Sequence, residues 1–453
     1  MGWGITEVSI VLIAFAAVSG RVRGSAITPA ILFTGVGFLL GSEVLDTIGS
    51  GLKVGDIRLL AEVTLALVLF GDASSLNVRL LSREAAFPAR LLGIGLPLTI
   101  ILGSGIALWL FPELLFFEAI VLAVLLAPTD AALGQTVVSD KRLPSRVRQG
   151  LNVESGLNDG VCVPLLFAAV AFAELEETPT FEGDIIVDLL KEVGIALGVG
   201  IGVALVVGFI VTTSKRRGWL DEAWAQVVPL AAVAMAYTAT VELGGSGFIA
   251  AFAAGLVYRR QVGAATAHSS TRLMEELGGV LSAVTFFVFG AILIGTGVPD
   301  LDLTTVVYAL LSLTAVRMVP VAFSLIGSGA ARPTMAFTGW FGPRGLATIV
   351  FMLTIVEESN LPGTGRIVQV ATITVLFSVI AHGASAPWLT NLYVQWFSKQ
   401  PELSDPDLDT DDPHSDDPHS DDSDSDDSDS DDIAAKIAPP RRSLWGQHRQ
   451  EQR

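Results

Sequence analysis

The chain has 453 residues, 51% apolar and 16% charged, with mean hydropathy +0.59 and a net charge of −18. Soluble domains carry about 25% charged residues, whereas here uncharged runs of ~20 residues, long enough to cross a bilayer, recur over the first 395 positions. That excludes a soluble enzyme, a nucleic-acid-binding protein and a secreted disulfide scaffold, and predicts an all-α polytopic membrane protein.

In chain order, apolar stretches fall near 5–20, 25–42, 57–73, 87–111, 115–138, 149–173 and 185–213. Six more follow near 222–241, 245–258, 274–296, 303–327, 334–356 and 366–392, which predicts thirteen transmembrane helices. The first stretch has no basic leader or small-residue cleavage site, so a retained helix is expected.

Loop charges test the count. Arg21 and Arg23 follow the first stretch, Arg79 and Arg83 the third, and Lys141, Arg142, Arg146 and Arg148 the fifth. Lys215 to Arg217 follow the seventh, Arg259, Arg260 and Arg272 the ninth, and Arg332 the eleventh. The loops after stretches four, eight and ten carry no Lys or Arg, and the one after six is acidic at 174–177. Cytoplasmic loops collect basic residues, which places the N-terminus outside and the C-terminus in the cytoplasm.

Charge also divides the chain. Residues 1–399 hold 23 Lys and Arg against 29 Asp and Glu, while 400–453 hold 5 against 17. A transmembrane domain over 1–398 and a disordered acidic cytoplasmic tail over 399–453 are expected, because dense like charge without apolar period cannot offset the entropy of ordering. The single Cys162 excludes an internal disulfide and sits in an apolar run, where packing is its default role. No His/Cys cluster has metal-site spacing, and neither a P-loop nor a dinucleotide fingerprint occurs, so no cofactor is expected. His382 reads as a packed or water-facing residue rather than a ligand.

Ionisable residues at membrane depth are costly and point to function. Asp72 ends the third stretch and Asp130 lies in the fifth. Glu154, Asn158 and Asp159 share the sixth, Arg317 lies in the eleventh and Arg344 in the twelfth. Ser155 and Asp159 are four apart and share a helix face, as do Glu154 and Asn158 on another. Glu154 needs a cationic partner, and only Arg317 and Arg344 are at hand; no base then remains for both Asp159 and Asp130.

Stretches five and twelve are interrupted, at Ala127-Pro128-Thr129-Asp130 and at Gly339 through Gly342-Pro343-Arg344-Gly345. Interrupted helices at matching positions of two halves mark a transporter binding site. Their offset of seven stretches predicts two inverted six-helix repeats whose broken helices cross near the midplane. Asp130 and Arg344 are then expected to compensate opposite helix-dipole ends at the breaks.

The segments APTD, ESGLNDG and GPRGLA resemble those of the NhaP-type sodium/proton antiporters, within the monovalent cation–proton antiporter family that includes the sodium/hydrogen exchangers. The resemblance covers residues ~5–395. It implies a core bundle moving against a dimerisation domain, a homodimer in the cell membrane, and exchange of Na⁺ or Li⁺ for H⁺. It also implies a Na⁺ site at Asp159, Asp130, Ser155 and the Thr129 carbonyl, with Asp72 nearby through water. Asn158 is then the neighbour of the ion-binding aspartate, and Glu154 pairs with an arginine assigned to Arg344, with Arg317 as the other choice.

An oxygen-only site suits a hard monovalent cation, and competition of cation and proton for one carboxylate couples the two by alternating access. Because Asn158 cannot ionise, one proton per cation, and so electroneutral exchange, is expected. K⁺/H⁺ exchange is the near alternative. A cation channel would need a ring of like groups around a pore, and an intramembrane aspartyl protease a proton-sharing dyad; both fit this pattern poorly.

Overall fold

The structure, a computed structural model, describes residues 2–22, 25, 27–41, 54–75, 86–177, 185–294 and 301–400. The expectations for Arg23, Arg79, Arg83 and the acidic tail beyond residue 400 lie outside the described residues. Every regular element among the described residues is helical.

Helices α1 (Gly2–Val22), α2 (Pro29–Leu40), α3 (Val54–Ser75) and α4 (Ala86–Leu110) take up the first four stretches. The fifth is split into α5 (Phe116–Leu125) and α6 (Ala131–Val138), and the sixth is α7 (Ser145–Glu177). Then come α8 (Ile185–Arg216), α9 (Glu222–Glu242), α10 (Gly247–Val262), α11 (Ala264–Val288) and α12 (Leu303–Ser324). The twelfth stretch is split into α13 (Arg332–Trp340) and α14 (Leu346–Glu358), and α15 (Thr364–Phe397) closes the described chain. Seven of these helices are individually long and apolar enough to cross a bilayer. The count of thirteen crossings rests on the loop charges.

Caps fix several helix starts. Pro29 opens α2 behind Thr28, whose hydroxyl accepts from the Ile31 N–H, and Asp221 accepts from the Ala223 and Trp224 N–H groups at α9. Buried Glu118 does more than cap α5. It accepts from Leu115 N at 2.9 Å and from Gly363 N at 2.6 Å, joining the starts of α5 and α15.

Two irregularities were not legible from hydropathy. A π turn at Leu91–Gly95 widens α4 just where Pro97 cannot donate to the preceding turn. A bend at Thr314 (φ −113°, ψ −90°) interrupts α12 one turn before Arg317.

α3 packs between α10 and α11, and α8 runs along α10. On the other side α5 lies between α4 and α7, and α14 rests on α15 and α3. One continuous apolar core runs through α3, α5, α7, α14 and α15, with Cys162 fully buried in it. This core carries the two interrupted stretches at its centre.

Candidate ion-binding site

The breaks form where Pro and Gly predicted them, between Leu125 and Ala131 and between Trp340 and Leu346. The two linkers cross and bond to each other. Asp130 N donates to the Pro343 carbonyl at 2.8 Å, and Leu346 N donates to Asp130 Oδ2 at 2.7 Å. The other oxygen, Oδ1, accepts from Leu133 N at 3.2 Å. One carboxylate therefore caps both α6 and α14, where two positive helix ends meet.

Arg344 serves the opposite polarity. Fully buried, it donates from Nη1 to the carbonyls of Ala127 (2.9 Å) and Pro128 (3.1 Å), just past the C-terminal end of α5. The Thr348 hydroxyl donates to the Leu125 carbonyl beside them at 3.1 Å. An acid and a base thus neutralise opposite ends of the broken helices.

A polar chain from α15 holds the second linker. Arg344 N donates to Ser378 Oγ at 2.6 Å, and Ser378 Oγ lies 3.2 Å from His382 Nδ1. His382 Nε2 lies 2.9 Å from the Trp340 carbonyl. His382 Nδ1 also lies 2.9 Å from the Ser378 carbonyl, so the ring is held between two backbone carbonyls as well as the Ser378 hydroxyl. His382 is packed, as expected, but it spans the break from one side to the other. Sequence reasoning missed Ser378 and Thr348; the Ser-x-x-x-His spacing on α15 was the available signal.

Two glycines are required by close approach. A Cβ at Gly345 would overlap the Asp130 carboxylate, and one at Gly342 would overlap the Arg317 guanidinium.

α7 supplies the remaining groups. Its Ser155 hydroxyl donates to the Thr129 carbonyl, and Asn158 Nδ2 donates to Thr129 Oγ1 at 2.7 Å. Asp159 follows, 5% exposed, and its Oδ1 has no hydrogen-bond partner among the described residues. Thr129, Asp130 and Ser155 line a crevice of about 10 Å³, room for about one water. It runs beside Val137, Val138 and Leu151, toward the end of the bundle that carries the 139–144 loop. Asp72 lies on α3 with its Cβ facing Gly156 on α7, within electrostatic reach of Asp130 and Asp159. Among the described residues it makes no hydrogen bond to them.

The assignment of Arg344 to Glu154 is corrected by the structure. Glu154 (2% exposed) accepts two hydrogen bonds from Arg317, at 2.5 and 2.8 Å. The bend at Thr314 precedes Arg317 by one turn, and Arg344 is already committed to the α5 carbonyls. The structure thus brings Thr129, Asp130, Ser155, Asn158, Asp159 and Arg344 together, and sets the Glu154–Arg317 pair beside them against Gly342.

Residues 8–392 match the family described as "Sodium/hydrogen exchanger, transmembrane". The chain is 26% identical over 364 residues to the "K(+)/H(+) antiporter NhaP2" of Shewanella sp. (strain ANA-3), covering 78% of this chain and 61% of that protein. It is 24% identical over 312 residues to the "Na(+)/H(+) antiporter" of Schizosaccharomyces pombe, covering 62% of this chain and 66% of that one. The chain spans about three-fifths of the length of the first of these relatives. Among solved structures, the sodium proton antiporter MjNhaP1 from Methanocaldococcus jannaschii shares its fold, with TM-score 0.70 and 19% identity, covering 86% of this chain and 98% of that one.

Proposed function

The chain belongs to the sodium/hydrogen exchanger family, and from that premise we propose that it is a secondary antiporter exchanging Na⁺ or Li⁺ for H⁺. The observation that carries the reading is the buried Oδ1 of Asp159, which has no hydrogen-bond partner among the described residues and lies one turn from Ser155. Ser155 spends its proton on the Thr129 carbonyl, so its lone pairs remain to ligate a cation. The carrier site is Asp159, Asp130, the Ser155 hydroxyl and the Thr129 carbonyl, with Asp72 reached through water. Asn158 positions Thr129, and Arg344 and the Glu154–Arg317 pair hold the surrounding helices.

Cation and proton compete for Asp159, and that competition is the coupling. Both Asp130 oxygens already accept from backbone N–H groups, which leaves Asp159 as the carboxylate for that competition. With Asn158 unable to ionise, one proton exchanges per cation and transport is electroneutral. The protein acts as a homodimer in the cell membrane, N-terminus outside, with 1–398 as the transport domain and 399–453 as a cytoplasmic tail.

The test is dissipation of an imposed pH gradient by purified protein in liposomes. Na⁺ and Li⁺ should dissipate it, and Asp159→Asn should abolish the response while the protein still melts cooperatively. Wild-type exchange in that variant refutes the site. A rate that changes several-fold with the sign of an imposed voltage refutes electroneutrality, since one net charge feels ~2.3 kcal/mol per 100 mV. The relatives named K⁺/H⁺ antiporters favour a second reading, and dissipation by K⁺ at lower concentration than Na⁺ would establish it.

A further inference from the structure

Away from the ion site, a groove of about 640 Å³ opens between α12, α13 and the C-terminal half of α15. Its floor is aromatic, formed by buried Phe337, Phe341 and Tyr393, and its rim includes Trp388 and Leu392, 67% and 52% exposed. α15 lines it along a single stripe from Ser385 to Trp396, ~16 Å of helix rise. Half of a bilayer's hydrocarbon core is ~15 Å thick, so the groove matches one acyl chain in one leaflet.

At one end of the stripe the Ser385 hydroxyl is taken up by Trp340, whose Nε1 donates to it at 2.9 Å, and toward the other end stands the Tyr393 hydroxyl. Tyr393 also lines an adjoining cavity of about 80 Å³, where its hydroxyl lies 2.9 Å from that of Thr334. Arg146 lines that cavity, stacked over Phe87 at 5.5 Å. It donates one of its five N–H groups to the Ser328 carbonyl at 3.1 Å. An apolar slot of acyl length ending at a guanidinium has the polarity of an anionic amphiphile; a second copy of this chain would not need that charge at one end.

We propose that the groove and the adjoining cavity form one binding site for an anionic phospholipid, with one acyl chain along α13 and α15 and the phosphate at Arg146. A chain seated there touches Trp340, the last residue before the second break, and Met318, which follows Arg317. Binding by this lipid class is independent of which ion the protein carries.

The test uses purified full-length protein and a phosphatidylglycerol carrying a photoreactive diazirine in its acyl chain. Labels should concentrate in 333–341 and 385–396. A charge-assisted hydrogen bond makes unlabelled phosphatidylglycerol compete at roughly tenfold lower concentration than phosphatidylcholine. Arg146→Gln should abolish that preference while labelling of the groove persists, and Ala336→Trp should remove the labelling by filling the slot. Equal competition by the two lipids in the wild-type protein overturns the proposal, as does labelling spread evenly onto the exposed face of α8. Crosslinks between two copies through Trp388 and Leu392 overturn it in favour of a protein partner. The wild-type competition decides the matter even where a filling variant fails to fold.

Discussion

Glu154 and Arg317 place two full charges out of reach of water, joined by two parallel hydrogen bonds. Removing one partner strands the other, which costs about 3–5 kcal/mol. Glu154→Ala and Arg317→Ala should each lower the melting temperature sharply, and a double-mutant cycle should show strong coupling between them and little between Glu154 and Arg344. The sequence narrowed the partner of Glu154 to two arginines. It could not choose, because the choice depends on how α12 and the second linker sit against α7, which no local pattern announces. Asp130 and Asp159 look alike in sequence yet differ in their bonds. Asp130→Ala removes two helix caps, each typically ~1 kcal/mol, whereas Asp159→Asn removes no bond at Oδ1. Chemical unfolding should therefore find Asp130→Ala the less stable of the two variants by about 2 kcal/mol.

The interrupted helices were the most legible elements. Pro128 and the Gly342-Pro343 pair marked both breaks, since proline removes a donor and glycine loosens the helix. Their mutual bonding was not legible, because it arises only when segments over two hundred residues apart meet. Gly345 shows the consequence. Read alone it is one of 45 glycines, but in place it admits the Asp130 carboxylate to the start of α14. Gly345→Ala should push that carboxylate away, uncap α14 and lower the melting temperature by several degrees. An equivalent Ala substitution at Gly365, which has open space around it, should leave the temperature unchanged.

At the scale of the molecule, charge clusters tie helix ends outside the apolar core. Arg366 at the start of α15 bonds Glu113 at 2.9 Å and Asp302 at 2.8 Å, joining α12, α15 and the α4–α5 loop. Partial burial pushes the Asp302 carboxyl up, but hydrogen bonds from Thr305, Arg366 and Thr304 outweigh it and hold the group at about 2. A depressed value stabilises the fold above the ordinary 3.8, and that contribution is lost as pH falls toward about 2. Asp302→Asn should thus melt earlier than wild type at pH 6, and the difference should shrink in melts taken toward pH 3.

The crossing has a mechanical consequence as well. Five bonds, one each from Asp130 N, Leu346 N and Thr348 and two from Arg344, rivet the two linkers and the end of α5 into one block. Such a block does not flex at its breaks, so an ion bound there has no track of its own to slide along. Under the proposed antiport it travels as a passenger, and the whole carriage shifts against α3 and α10 to turn it from one side to the other. Spin labels on α5 and α14 should keep a fixed separation through that shift, while labels on α14 and α10 should change theirs. A leak along a continuous file of water would require the rivets to open, which makes tight coupling a property of the joinery rather than of a gate.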